Sequence, residues 1–244
     1  MRLSRIYIES PLSIDREIPL PVNNAHYIKN VLRLRSDALV ILFNGIEQKD
    51  YLARIKISGK DVFVIPLEAQ LKTTESPVKS TIVQAIGKSD HMDYLIQKST
   101  ELGVSHLLFF NSERTQSPLK SSRLDKKIQH WQNIAISACE QSGRNSVPLI
   151  EFKNNLPDAM ERLSGANRIM LDFNGLNLKQ LANQFDASQS FSLLVGAEGG
   201  LSDEEIAHAK KSGFLSCVVG PRVLRMETAG VAVLSIIQHY FGDM

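Results

Sequence analysis

Two glycine-bearing segments near the C-terminus constrain this chain more than any other feature: Val195-Gly-Ala-Glu-Gly-Gly-Leu-Ser-Asp-Glu-Glu205 and Val219-Gly-Pro-Arg-Val-Leu-Arg-Met-Glu-Thr-Ala-Gly230. Each follows an apolar run of strand length and opens a helical pattern. In α/β sheets such turns lie at the carboxyl ends of parallel strands. Ligands bind there because glycine lets backbone amides close on a small molecule. The spacing from Gly196 to Gly220 predicts two turns meeting at the ends of neighbouring strands.

The rest of the chain supports such a sheet only beyond Lys72. Before that, Arg5–Glu9, Ala38–Phe43, Tyr51–Ile57 and Val62–Leu67 read as short strands, separated by breakers such as Asn44-Gly45 and Ser58-Gly59. A helix is predicted from Ala25 to Arg33 after an Asn23/Asn24 cap. Tyr27, Ile28, Val31 and Leu32 form its apolar face, and His26, Lys29, Asn30 and Arg33 fall on another. These elements suggest a small β-barrel over residues 1–72. Thr73-Thr-Glu-Ser-Pro77 is polar, ends in proline and marks the boundary.

Residues 73–244 alternate strand and helix. Strands are predicted at Thr81–Ile86, His106–Phe110, Ile169–Phe173, Phe191–Val195 and Leu215–Val219. Helices are predicted at Asp90–Leu102, Arg123–Gln141, Pro157–Leu163, Leu176–Gln184, Asp203–Ser212 and Thr228–Phe241. This is an α/β pattern, a mainly parallel sheet with helices on both faces. The last helix is apolar almost all round, so it needs cover from other helices of the chain or from a partner subunit.

Composition narrows the class. With 43% hydrophobic and 22% charged residues among 244, the chain is expected to be globular and water-soluble, with a substantial core. The segment from Met1 to Pro11 lacks the apolar core of a signal peptide, and Val231–Ile237 is too short to cross a bilayer. Cys139 and Cys217 stand apart from any Cys/His cluster, which predicts buried thiols in a reducing cytosol and no metal site. The N-terminal segment up to Lys72 carries 11 Lys and Arg against 8 Asp and Glu, a weak lean towards polyanions. A dinucleotide fold fits poorly, because Gly196-Ala-Glu-Gly-Gly has the wrong spacing and comes too late.

Gly196-Ala-Glu-Gly-Gly-Leu-Ser and Gly220-Pro-Arg-Val-Leu-Arg-Met-Glu-Thr-Ala resemble signatures of the 16S ribosomal RNA (uracil-N3) methyltransferase family, part of the SPOUT superfamily of knotted methyltransferases. Lys98-Ser-Thr-Glu-Leu-Gly-Val104, Ala138-Cys-Glu-Gln-Ser-Gly-Arg144, and His26 with Val31-Leu-Arg33 match in the family's order. Ala197 departs from the family's usual proline, and Ser36-Asp37 from its Gly-Asp. The resemblance implies a C-terminal SPOUT-type parallel sheet with a deep trefoil knot and an N-terminal PUA-like RNA-binding barrel. It further implies S-adenosyl-L-methionine as cofactor, 16S rRNA in the small ribosomal subunit as substrate, a homodimer and a cytoplasmic location. A ribose 2′-O-methyltransferase and a non-catalytic ribosome assembly factor of the same fold are the competing readings.

Such a donor presents an adenine edge and a ribose, which tight loops satisfy with backbone N–H and C=O groups. Gly196, Gly199, Gly200 and Gly220 give that access, Leu201 and Leu224 close over the adenine, and Thr228 caps the last helix. The resemblance adds Leu171, Val219, Glu198 and Arg225 to the donor site. Methylation at uracil N3 sends negative charge onto the flanking carbonyl oxygens, so a guanidinium there acts most strongly in the transition state. Arg225 is the first candidate and Arg222 the second. Glu198 or Glu227 accepts the proton or orients the arginine. For RNA the candidates are His26, Lys29, Arg33, Arg35, Arg114, Lys120, Gln141 and Arg144. Gln141 and Arg144 fit equally a helix C-terminus capped by Gly143.

Overall fold

The computed structural model describes residues 3–244. It divides into two compact units. One takes the chain up to Glu75 together with Cys139–Val147; the other takes Ser76–Ala138 and Pro148–Met244.

In the first unit, β1 (Arg5–Tyr7), β2 (Ile18–Pro19), β3 (Leu39–Phe43), β4 (Lys49–Ser58) and β5 (Asp61–Leu71) form a curled sheet in the order β1-β3-β4-β5-β2. Alternation along β4 sends Tyr51, Ala53 and Ile55 inward against Ile6, Ile28, Val40, Leu42 and Val64. Proline is confined to places where no ladder N–H is needed. Pro19 lies on the edge strand β2, and Pro66 sits where the β4–β5 register slips. Buried ion pairs hold the returning segment Cys139–Val147. Arg144 pairs with Glu75 through Nη2–Oε2 at 2.5 Å and Nε–Oε1 at 3.0 Å, while Arg5 donates to Asp50 and to the Arg144 carbonyl.

The expected helix over Ala25–Arg33 differs in start and pitch. α1 (Val22–His26) has Pro21 at its N-cap rather than an asparagine, because proline's fixed φ suits a helix entry. It passes into a π-helical turn over Tyr27–Val31, in which the Leu32 N–H reaches the Tyr27 carbonyl five residues back. Widening the turn rotates the apolar face. Ile28 is buried, yet Tyr27 is 37% and Val31 60% exposed.

The second unit contains β6 (Ser80–Ala85), α2 (Ser89–Glu101), β7 (His106–Phe110), α3 (Ser121–Ser142), β8 (Leu149–Lys153), α4 (Leu156–Met160), β9 (Asn167–Asn177), α5 (Leu178–Leu181), β10 (Phe191–Val195), α6 (Asp203–Lys211), β11 (Leu215–Val218) and α7 (Met226–Phe241). Its six strands run parallel in the order β11-β9-β10-β6-β7-β8. All five residues of β10 are buried, as expected of a strand covered on both faces. The chain builds outward from β6 through β7 to β8, then resumes on the other side. This makes β6 and β10 a switch point, where loops leaving the two carboxyl ends diverge and open a crevice.

The sequence pattern does not announce β8, since Glu151 and Lys153 interrupt its apolar run; it is an edge strand with one buried residue. β9 runs past the expected Phe173, so the next helix starts at Leu178 rather than Leu176. α7 buries Met226, Gly230, Val233, Leu234 and Ile237 against α2, β6 and β10. Val231, Ala232, Ser235 and Ile236 stay half-buried and Tyr240 is exposed. The described residues therefore cover one side of this helix only.

Candidate methyl-donor cleft

At the carboxyl ends of β9, β10 and β11 lies a cleft of about 540 Å³, within the ordinary range of about 300–1,000 Å³ for small-molecule sites. The loop after β10 folds back on itself. A β-carbon at Gly196 would stand 2.7 Å from the Gly200 carbonyl carbon and 2.9 Å from the Leu201 nitrogen, so only glycine fits. The loop is fixed from both sides. Buried Gln84 donates from Nε2 to the Gly196 carbonyl at 3.0 Å. Ser202 and Glu205 form a capping box that opens α6. Glu205, itself buried, also accepts from Ser112 Oγ at 2.8 Å and from the Glu113 N–H at 3.2 Å.

The two glycine turns do converge, but not from neighbouring strands. β9 lies between β10 and β11. Pairing runs from Met170 opposite Ser216 directly to Leu176 opposite Cys217, so residues 171–175 bulge out of register. That bulge fills the gap between the turns and brings Leu171, Asp172 and Phe173 to the cleft, with Ser216 Oγ donating to Asp172 Oδ2 at 2.9 Å.

Of the residues expected around the donor, Leu171, Gly196, Glu198, Gly200, Leu201, Val219, Gly220, Leu224 and Arg225 line the cleft. So do Arg222 and Glu227. Gly199 does not, and it lies instead against Arg114, whose Nη1 donates to the Gly199 carbonyl at 3.2 Å. Thr228 does not cap the last helix. α7 starts two residues earlier with Arg225 at the N-cap, which puts Thr228 inside the first turn, exposed.

The cleft wall holds a titratable group that sequence reasoning missed. His91 Nδ1 lies 3.6 Å from Glu198 Oε1 and 3.6 Å from Glu227 Oε2. Glu198 Oε1 also accepts the backbone N–H of Lys88 at 3.2 Å. Lys88 is the N-cap of α2 and His91 lies in its first turn, and this helix start after β6 faces β10 only because of the strand order. Cys217 also lines the cleft, and burial pushes its thiol up to about 11.

The expected RNA contacts divide. His26, Arg33 and Arg35 are exposed on the first unit, with Arg33 at φ +52° ending the π turn. Lys29 is taken up locally, its ammonium donating to the carbonyls of Gly59 and Lys60, both at 2.9 Å. Arg144 is 4% exposed and held by Glu75, and Gln141 is an exposed residue of the last turn of α3. Arg114 and Lys120 are exposed on the loop after β7. Lys98 and Glu101, from another matched segment, form an i,i+3 pair at 2.9 Å along α2.

Among the described residues no group of three or more His, Cys, Asp or Glu is arranged to hold a metal ion, and no helix is long and apolar enough to cross a membrane.

A family model described as an RNA methyltransferase domain matches residues 74–238, and one described as an RNA methyltransferase PUA domain matches residues 20–67. The ribosomal RNA small subunit methyltransferase E of Buchnera aphidicola subsp. Schizaphis graminum is 35% identical over 100% of this chain and 98% of its own length. Its counterpart in Bacillus subtilis is 28% identical over 97% and 96%. Among solved structures, a Legionella pneumophila methyltransferase with bound S-adenosylmethionine superposes with a TM-score of 0.93 at 33% identity, covering 100% of both chains. The Neisseria gonorrhoeae ribosomal RNA small subunit methyltransferase E, also bound to S-adenosylmethionine, gives 0.88 at 32%, again over 100% of both. With most of its length matched by one family model, and a relative 35% identical along its whole length, the chain belongs to this family of RNA methyltransferases.

Proposed function

We propose that the protein transfers a methyl group from S-adenosyl-L-methionine to N3 of a uridine in 16S ribosomal RNA, with the small ribosomal subunit as substrate. The observation that carries this is the convergence, in one cleft, of two glycine turns, three carboxylates and two arginines. The residues present fit the donor. The Gly196 turn, folded so tightly on Gly200 and Leu201 that only glycine fits, sets loop backbone along the cleft, Leu201 and Leu224 offer apolar cover for adenine, and Glu198 and Glu227 favour a cationic sulfonium. When bound, the donor supplies an electrophilic methyl carbon and leaves as a neutral thioether.

The chain's part is positioning and charge. Arg225 steadies the negative charge that spreads onto the uracil oxygens as N3 loses its proton. Glu198 is the better placed acceptor for that proton, because its side chain is 27% exposed against 9% for Glu227. Holding both reactants in one site supplies much of the acceleration, so a strong base is not required.

Residues 1–72 act as the RNA-binding domain, a curled sheet closing into a PUA-like barrel that offers His26, Arg33 and Arg35 to phosphates, and residues 73–244 as the catalytic domain. The loop crossings around β9–β11 form a trefoil knot. The half-covered face of α7 packs on a second copy, making a homodimer of the cytoplasm. Supporting this, Ile236, His239 and Tyr240 share a shallow hollow with Val218–Gly220, beside the donor turn.

The test is nucleoside mass spectrometry of small subunits from a deletion strain, incubated with the protein and labelled donor. N3-methyluridine is expected. A 2′-O-methylated nucleoside, or no incorporation despite donor binding, would overturn the assignment.

A further inference from the structure

A second cavity, about 780 Å³, opens on the other side of the switch point, at the carboxyl ends of β6 and β7. Its floor is apolar, made by Ile86, Met92 and the indole of Trp131. Its rim is cationic: Lys88, Lys120, Arg123, Lys126 and Lys127, with Glu198 the sole carboxylate among the described residues that line it. Lys127 donates to Ser89 Oγ at 2.6 Å and stands 5.7 Å from the Trp131 ring centroid. Among the described residues the side chains of Lys88, Lys120, Arg123 and Lys126 form no ion pair, so most of this charge is not neutralised. Two helices, α2 and α3, also begin at the cavity, with Ser89, Ser122 and Arg123 on its wall. Their N-terminal dipoles add positive potential, and the first turn of α3 holds no acidic residue, though α2 has Asp90.

Lys88 and Glu198 line both this trough and the donor cleft. The Lys88 N–H to Glu198 bond therefore crosses the wall between them. A trough with a cationic rim and an apolar floor suits one extruded nucleotide with its flanking phosphodiesters. Phosphates are held by point charges and helix ends, and the base is sheltered from water. A small-molecule anion would not need a trough of this size or five separated cations.

We propose that this trough is the acceptor site: it grips the RNA strand at the target uridine and delivers the base to the donor cleft across the Lys88–Glu198 wall. The inference rests on the methyltransferase reading above, but concerns a surface outside the donor site.

The experiment compares the full-length protein with its R123E/K126E variant, both sites being exposed on the first turns of α3. A fluorescent dodecamer of oligouridylate is the probe, titrated across a salt series. Each lost contact with a phosphate of a single strand removes about 0.7 from the salt slope. The expected result is at least tenfold weaker binding and a slope shallower by about 1.4, with donor affinity by calorimetry within twofold and an unchanged melting temperature. Photocrosslinking of 4-thiouridine-substituted oligomer is expected within Lys88–Trp131. Unchanged affinity and slope, or crosslinks confined to residues before 76, would overturn the proposal. Methyl incorporation by the unmodified protein into small subunits is run in parallel. Its absence would overturn the catalytic reading, while the binding result decides the trough by itself.

Discussion

His91 Nδ1 stands 3.6 Å from Glu227 Oε2, too far for a hydrogen bond but within the reach of an ion pair in a mostly buried wall. Because the same nitrogen is 3.6 Å from Glu198, one imidazole ties the first glycine turn to the start of α7. Without it, two carboxylates of like charge face each other across the cleft.

His91→Ala is expected to lower unfolding free energy by about 0.5–3 kcal/mol, the usual range for losing a mostly buried side chain that separates two carboxylates. In the Glu227→Gln background the same substitution should cost less. Urea denaturation of the four proteins in this cycle gives the coupling. A value of zero would show that the imidazole merely fills space.

Arg225→Ala should reduce single-turnover methylation by about 10²–10³-fold, the scale seen when an electrostatic stabiliser of developing charge is removed. Donor affinity should change little, since the backbone turns and apolar residues hold the donor. Loss of donor binding in calorimetry, with turnover unaffected at saturation, would move Arg225 from charge stabilisation to donor recognition.

The parts legible in the sequence are those whose cause is local. His106–Phe110 and Phe191–Val195 are strands with the bounds their sequence predicts, because short continuous apolar runs announce covered parallel strands. The turns at Gly196 and Gly220 announce themselves by glycine after a strand. What stays hidden depends on strand order. Lys88 and His91 look like an ordinary helix start until β6 is placed beside β10. The bulge of residues 171–175 exists only because Cys217 pairs with Leu176, a register no local pattern encodes. Arg144 misleads for the same reason. An arginine near a helix end reads as solvent-facing unless one knows that Glu75 returns to meet it.

The two turns should respond differently to alanine. At Gly196 the added β-carbon strikes backbone that cannot step aside, so the loop must open. Donor affinity should fall at least about tenfold, with a stability loss of about 1–3 kcal/mol. At Gly220 nothing lies within 4 Å, and the cost comes only from φ of +73°, about 1–2 kcal/mol. Calorimetry with donor and thermal melts on both variants check the ordering. Equal losses of donor affinity would mean that the Gly196 contact is relieved elsewhere.

Cys217 borders the donor cleft yet should behave as an inert thiol. Burial pushes it up to about 11 and the other cysteine, Cys139, up to about 12. At about pH 8 roughly one Cys217 in a thousand carries the reactive thiolate. A disulfide reagent should therefore label neither cysteine in the native protein within minutes, and both after denaturation. Rapid labelling of one native cysteine would show that the cleft opens around it.

Glu140 gives the clearest dependence on pH. Burial raises its pKa, opposed by the Tyr7 N–H, which donates to Oε1 at 3.1 Å, and by the charge of Arg5. The native state thus holds this proton more tightly than the unfolded chain does. Between glutamate's ordinary value, about 4.3, and the raised native value, the native state binds more protons, so stability falls as pH rises through that window and levels off above it. Glu140→Gln keeps an acceptor for the Tyr7 N–H but removes the charge. The variant should match the parent near pH 4 and be more stable near pH 7, with the gap in urea midpoints opening across the window. A gap that is constant, or that closes as pH rises, would mean that the Tyr7 and Arg5 interactions outweigh burial.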